Sequence, residues 1–234
     1  IGALGGPLLA AAALYLGHGY RAGFGILFLP AVLSLGTLAW ARAAFPAPHR
    51  MEQTRAAAAA RAEKPSLTQG LPRAFWFYIL FSIAAVAGYA NFQVISYHFK
   101  VQGVVSDIHI PVFYAVAMGV DAAVALLAGR IYDRVGLGSL VAVPLLALPL
   151  PWLVFANQYH YALAGMVLWG AVMGIQETTM RAAIADMTAP ERRGLAYGIF
   201  NTAYGGAWML GSAVLGYLYD LKLAYVITFI VALE

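Results

Sequence analysis

Residues 128–138 read AGRIYDRVGLG and pack Arg130, Asp133 and Arg134 into five positions. The 22 residues before Arg130, 108–129, carry a single formal charge, Asp121. The 42 residues after Arg134, 135–176, carry none. Runs of that length without Asp, Glu, Lys or Arg are hard to accommodate in a water-soluble domain, where roughly a quarter of residues are charged.

Working outward, the whole chain repeats the pattern. Of its 234 residues 62% are hydrophobic and 10% charged, and its mean hydropathy is +0.77. Residues 22–41, 74–99 (AFWFYILFSIAAVAGYANFQVISYHF) and 194–219 are further charge-free runs. At ~1.5 Å per residue, 20 to 26 residues give about 30–39 Å of helix, enough for a hydrocarbon core of ~30 Å. The expected fold is an all-α integral membrane protein, a polytopic bundle of transmembrane helices. The chain opens on IGALGGP with no Met or basic stretch before it, which does not fit a secretory signal peptide. It closes on AYVITFIVALE, too short after Lys222 to cross a bilayer. The expectation is a fragment truncated at both ends. No cysteine is present, which excludes disulfides and thiol chemistry.

Apolar runs between polar punctuation predict spans at 1–17, 21–43, 74–99, 109–132, 137–156, 159–187 and 191–219, with a stub from 223. One connection is long, 44–73. There Pro46 and Pro48 precede HRMEQTRAAAAARAEK, and Pro65 follows. It reads as a solvated linker with a short surface helix stopped by proline.

Alternating the sides then places every basic residue. One side receives Arg42, Arg50, Arg55, Arg61, Lys64, Arg73, Arg130, Arg134, Arg181, Arg192 and Arg193, and the other Arg21, Lys100 and Lys222. Such an asymmetry marks the first side, with the 44–73 loop, as cytoplasmic. The basic residues thus need no nucleic-acid partner. His18, His98, His109 and His160 fall at or near the outer side at spacings unlike a zinc site. No metal or cofactor is expected.

Gly129-Arg-Ile-Tyr-Asp133-Arg134-Val-Gly136, between two spans on the cytoplasmic side, resembles the G-x-x-x-D-R-x-G loop motif of the major facilitator superfamily (MFS). IGALGGP resembles the G-x-x-x-G-P of the fifth span in that superfamily's drug–proton antiporters, though Ala10 and Ala11 stand where paired glycines are expected. MGIQETTMRAAIADMTAPERRGLAYGIFN resembles its tenth span, short loop and eleventh span. The resemblance covers essentially the whole chain, as spans five to eleven plus the start of twelve. It implies residues 1–43 as the last two helices of the N-terminal half, 44–73 as the central cytoplasmic loop, and 74–234 as a C-terminal half whose last helix is incomplete. It also implies partners in the missing N-terminal helices of the same protein, the lipid bilayer of the plasma or inner membrane, and a small-molecule substrate. After Gly136 the motif usually continues with two basic residues; here Leu137 and Gly138 follow, as suits a weaker second copy.

Charges inside spans are costly and face a bundle interior or wet cavity. Asp121 sits mid-span, on a face with Tyr114, Ala117, Ala125 and Ala128. It is either the site that binds and releases a coupling proton or an acid held neutral for packing. Glu177 and Arg181 stand i,i+4 in the attractive orientation, on a helix side that also carries Gly170 and Gly174. With Gly129, Asp133, Arg134, Gly136 and Asp186 they form a candidate cytoplasmic gate. Gly129 and Gly136 are expected to permit the tight turn there. Tyr78, Ser82, Tyr89, Gln93 and Ser96 form one polar stripe; Tyr197, Asn201, Tyr204, Trp208 and Ser212 form another. From these spans and the next, Tyr89, Gln93, Gln176, Asn201, Tyr204 and Trp208 are candidate cavity residues, with aromatic packing the alternative. Beside the second stripe Gly194, Gly198, Gly205 and Gly216 form a ridge suited to close helix contact. Residues 21–43 and 137–156 are nearly bare of polar side chains, as outer, lipid-facing helices are.

These features favour a secondary transporter that moves a small solute by alternating access, with a proton as candidate coupling ion. A non-transporting receptor or assembly factor on the same fold is the alternative. An intramembrane enzyme is disfavoured, since the sequence holds no Cys, HExxH or Gly-x-Ser-x-Gly and no mid-span His. Direct ATP drive lacks a G-x-x-x-x-G-K-[ST] loop. Substrate identity and direction are open.

Overall fold

The computed structural model describes residues 2–16, 19–44 and 70–234. Most of the 44–73 loop, with its surface helix and Arg50, Arg55, Arg61 and Lys64, lies outside the described residues, as does His18. The described chain is helical, with no strand among those residues. It runs α1 Gly2–Tyr15, α2 Gly19–Ala44, α3 Arg73–Gly88, α4 Phe92–Val101 and α5 His109–Val135. A 3₁₀ segment Gly136–Val141 leads into α6 Ala142–Ala147 and α7 Leu150–Val154. Then follow α8 Tyr159–Met187, a 3₁₀ turn Pro190–Arg192, α9 Arg193–Leu221 and α10 Leu223–Leu233.

By length and composition, Gly25–Ala44, Arg73–Val101 and His109–Val154 are apolar enough to cross a membrane. Helices α8 and α9, 29 residues each, reach about 43 Å at ~1.5 Å per residue, and they bear polar side chains along their length. The protein is an integral membrane helix bundle.

Two expected spans are not single helices. The 74–99 run breaks between Gly88 and Phe92. Tyr89 turns to extended backbone (φ −68°, ψ 124°), and Asn91 restarts the helix by accepting the Val94 N–H on its Oδ1 at 2.9 Å. The asparagine cap competes with helix continuation, which is why such residues favour starts over interiors. The 137–156 run is divided into a 3₁₀ segment and two short helices. Pro144, Pro149 and Pro151 lie in or beside these pieces, and each removes a backbone donor and crowds the preceding turn.

The basic end of the bundle carries Asp133, Arg134 and Arg193, and the far end carries Lys100 and Lys222. Helices α5 and α8 run parallel and meet backbone to backbone. A Cβ on Gly170 would overlap the Ala117 carbonyl, and one on Gly174 would stand 2.6 Å from the Asp121 carbonyl oxygen. Only glycine permits that approach. Helix α9 approaches α3 in the same way through Gly211, 2.5 Å in this sense from the Ala87 carbonyl oxygen. The expected ridge does not serve this purpose here. Gly194, Gly198, Gly205 and Gly216 have no atom within 4 Å of a would-be Cβ, because α9 is rotated to turn Gly211 toward α3. Gly129 lies inside α5, not in a turn, and faces Thr178; the turn belongs to Gly136, at φ +64°, where a side chain would be strained.

Two apolar cores lie along the bundle. One includes Tyr89, Phe99, Phe113, Trp169 and Leu215; the other, toward the basic end, includes Phe75, Tyr78, Tyr132, Met180 and Phe200. At the far end His98, 1% exposed, joins its Nδ1 to the Tyr219 hydroxyl at 2.8 Å and stands edge-on to Phe155. On α2 Leu29, Leu33, Leu35 and Leu38 are exposed.

Candidate functional site

Between the two cores, α8 and α9 part. Gln176, Glu177, Met180, Arg181, Phe200, Asn201 and Tyr204 line a small open cleft of about 20 Å³. The polar members sit on facing sides of two antiparallel helices. Gln176 comes seven residues after Trp169 on α8, and Asn201 and Tyr204 lie one turn apart on α9. Gln176 is the unusual member. It is 0% exposed, and neither its Nε2 nor its Oε1 has a hydrogen-bond partner. A buried amide left unpaired costs roughly 1–3 kcal/mol, so its retention at the wall of a cleft calls for an external partner.

Glu177 and Arg181 both point to the cleft and are exposed. Among the described residues no ion pair joins them, so the expected i,i+4 bridge is not formed and both charges stay open to the cleft. Near Arg181 the helices close again: the Tyr197 hydroxyl donates to the Arg181 carbonyl at 2.9 Å, and Arg193 donates to the Ala185 and Thr188 carbonyls at 3.1 and 3.4 Å.

Asp121 faces this region from α5. Its Oδ1 is buried without a partner and would lie 3.2 Å from a Cβ on Gly174. Glu177, three residues along from Gly174, is within electrostatic reach of Asp121 and Tyr114. Other sequence-derived candidates stand elsewhere. Tyr89 is buried and committed: its hydroxyl donates to the Trp169 carbonyl at 2.6 Å, while the Trp169 indole N–H donates to the Ala90 carbonyl at 2.7 Å. Gln93 is exposed on α4 and does not line the cleft. Trp208 stacks on Tyr204 at 6.1 Å between centroids and leans on Tyr89 at 6.5 Å, forming an aromatic floor next to the cleft.

At the basic end Tyr132, Asp133, Gly136, Ala182, Ala185 and Asp186 line a second, open cavity. The Tyr132 hydroxyl donates to Asp186 Oδ2 at 2.9 Å, tying α5 to α8. Asp133 and Arg134 are exposed. Among the described residues no group of three or more His, Cys, Asp or Glu converges on a metal position.

Sequence reasoning overlooked Trp169 and Phe92, which extend the aromatic floor together with Tyr114, read there only as sharing a face with Asp121. Tyr114 lies 6.1 Å from Trp169 and 4.5 Å from Phe92 between centroids. The seven-residue spacing from Trp169 to Gln176 was the available signal. Glu234 was also overlooked. Its carboxylate oxygens are buried and unpartnered, and its Cγ lies 3.7 Å from a would-be Cβ on Gly88.

Against known proteins, the family model described as Major Facilitator Superfamily matches residues 1–212 and 137–233. An uncharacterized protein of Mycobacterium bovis and two uncharacterized proteins of Mycobacterium tuberculosis are each 35% identical over 237 aligned residues. Each match covers 100% of this chain and 57% of the relative. The chain thus spans little more than half the length of the curated relatives it matches. No solved structure matches it.

Proposed function

The chain belongs to the Major Facilitator Superfamily, and from that premise we propose that it forms part of a secondary transporter whose small-molecule site includes the α8–α9 cleft. Gln176 carries the reading. A fully buried amide with both atoms unpaired is unfavourable in a resting bundle and favourable once a solute supplies a donor and an acceptor. Asn201 and Tyr204 offer further polar contacts across the cleft, and Trp208 a stacking face. No reacting group is required, since alternating access moves a solute without bond chemistry.

In this reading Asp121 is the proton-coupling residue. It is an acid at membrane depth with an unpartnered buried oxygen, and such groups mark ion and proton pathways. The basic end is cytoplasmic by the excess of Lys and Arg on that side, in the plasma or inner membrane. There Gly129, Asp133, Arg134, Gly136, Glu177 and Arg181 belong to the inner gate, with the Tyr132–Asp186 bond as one of its ties. The remaining helices of the full-length protein supply the other wall of the cavity.

The test is solute uptake by full-length protein in proteoliposomes, with and without an imposed proton gradient. Asp121→Asn is expected to abolish gradient-driven accumulation while sparing solute exchange; accumulation at the wild-type level would remove Asp121 from this role. Asp133→Asn is expected to shift the inward–outward balance, read by labelling single cysteines placed on either face. An unaltered labelling pattern would sink the gate.

A further inference from the structure

The size of the α8–α9 cleft limits what can reach its buried amide. A volume of about 20 Å³ admits one water-sized group, since a single water needs ~10–15 Å³ by this measure. Only the tip of a solute fits there. Gln176 lines the recess, is 0% exposed, and has no hydrogen-bond partner on either Nε2 or Oε1. Its carboxamide thus presents a donor and an acceptor side by side, both unused. Asn201 and Tyr204 line the same recess from α9, and Met180 and Phe200 add apolar surface. The charged members of the lining, Glu177 and Arg181, are exposed and balance in sign.

We propose that this recess takes a single hydroxyl group of the solute, in exchange for a water; the proposal rests on the reading of the α8–α9 cleft as the solute site. Two constraints select that group. Volume admits one oxygen-sized group and excludes a two-atom amide or carboxyl edge. Hydrogen bonding requires that this one group both donate to Oε1 and accept from Nε2. A hydroxyl does both, as water does. A carbonyl or ether oxygen only accepts and an ammonium only donates, so each leaves half of the buried amide unpaired. A group that displaces an ordered water without reproducing its hydrogen bonds loses affinity. The solute is therefore an alcohol. Its hydroxyl enters the recess, and its body stays on the open side beside the exposed Asn201.

The experiment titrates cyclohexanol, cyclohexanone and methoxycyclohexane against the full-length protein in nanodiscs. Saturation-transfer NMR reads the bound probe, and empty nanodiscs correct for uptake by lipid. Cyclohexanol is expected to bind about tenfold or more tightly than either of the others. In Gln176→Met that preference is expected to vanish, with a thermal unfolding midpoint at or above the wild-type value showing that the variant folds. The wild-type ranking decides the case by itself if the variant does not fold. Ketone or ether binding as strong as that of the alcohol overturns the proposal. So does the absence of protein-specific binding by all three, or a preference that survives in folded Gln176→Met. A hydroxyl preference without uptake of any solute in proteoliposomes would keep the recess and remove the transport reading. Uptake of a solute together with hydroxyl-blind binding would do the reverse.

Discussion

Toward α5, helix α8 presents Gly170 and Gly174 and meets bare backbone; toward α9 it presents Gln176, Glu177 and Arg181 and meets a cleft. The two flanks differ in how closely they pack. The α5 flank fills its space so closely that no Cβ fits at Gly170. The α9 flank keeps an amide and two charges without protein partners, closing only near the basic end through Tyr197 and Arg193. One flank behaves as a rigid seam. The other keeps unspent hydrogen-bonding capacity beside an open cleft, a property a solute site needs.

Three substitutions would break or sharpen that contrast. The largest effect is expected at Gly170→Ala, whose methyl would lie 2.8 Å from the Ala117 carbonyl carbon. Overpacking of this kind costs about 1–3 kcal/mol, read as a lowered thermal unfolding midpoint in detergent. A midpoint at the wild-type value would show that the seam yields. Next comes Gln176→Met, which replaces an unpaired amide with an apolar side chain of similar length. Removing an unpaired buried polar group should leave stability unchanged or raise it by about 1 kcal/mol, while solute binding falls. If the variant unfolds more easily, the amide has a partner within the protein and the cleft loses its main support. The smallest effect is expected at Gly205→Ala, where nothing stands within 4 Å of the added methyl. Helix propensity favours alanine by about 1 kcal/mol, so stability should hold or rise slightly. Clear destabilisation of the full-length protein would mean that another of its helices covers the α9 ridge.

Much of this architecture was legible in the residues. The helices over 109–132 and 159–187 follow from apolar runs between polar punctuation, a signal that needs no tertiary knowledge. Gln176, Asn201 and Tyr204, read as separate cavity candidates, come together across one cleft with Glu177 and Arg181. The failures share a cause. Hydropathy measures where a segment is at ease, not whether its helix is continuous, so the Asn91 cap and the prolines at 144, 149 and 151 were passed over inside apolar runs. Which glycines carry a helix contact depends on how α9 is rotated against α3, so Gly211 could not be separated from the ridge at 194, 198, 205 and 216. Tyr89 read as a cavity residue because nothing near it in sequence accepts its hydroxyl; the acceptor is Trp169, 80 residues away. Glu234 was passed over because it closes a segment too short to count as a span.

That separation bears on how the protein is made. The Ala90 carbonyl, released by the break in its helix, is claimed by an indole that the ribosome adds 79 residues later. At roughly 5–20 residues per second, several seconds of synthesis separate the two. Lipid offers no substitute donor in that interval. The break thus has two supports, the Asn91 cap within its own segment and the indole N–H that α8 brings to the freed carbonyl.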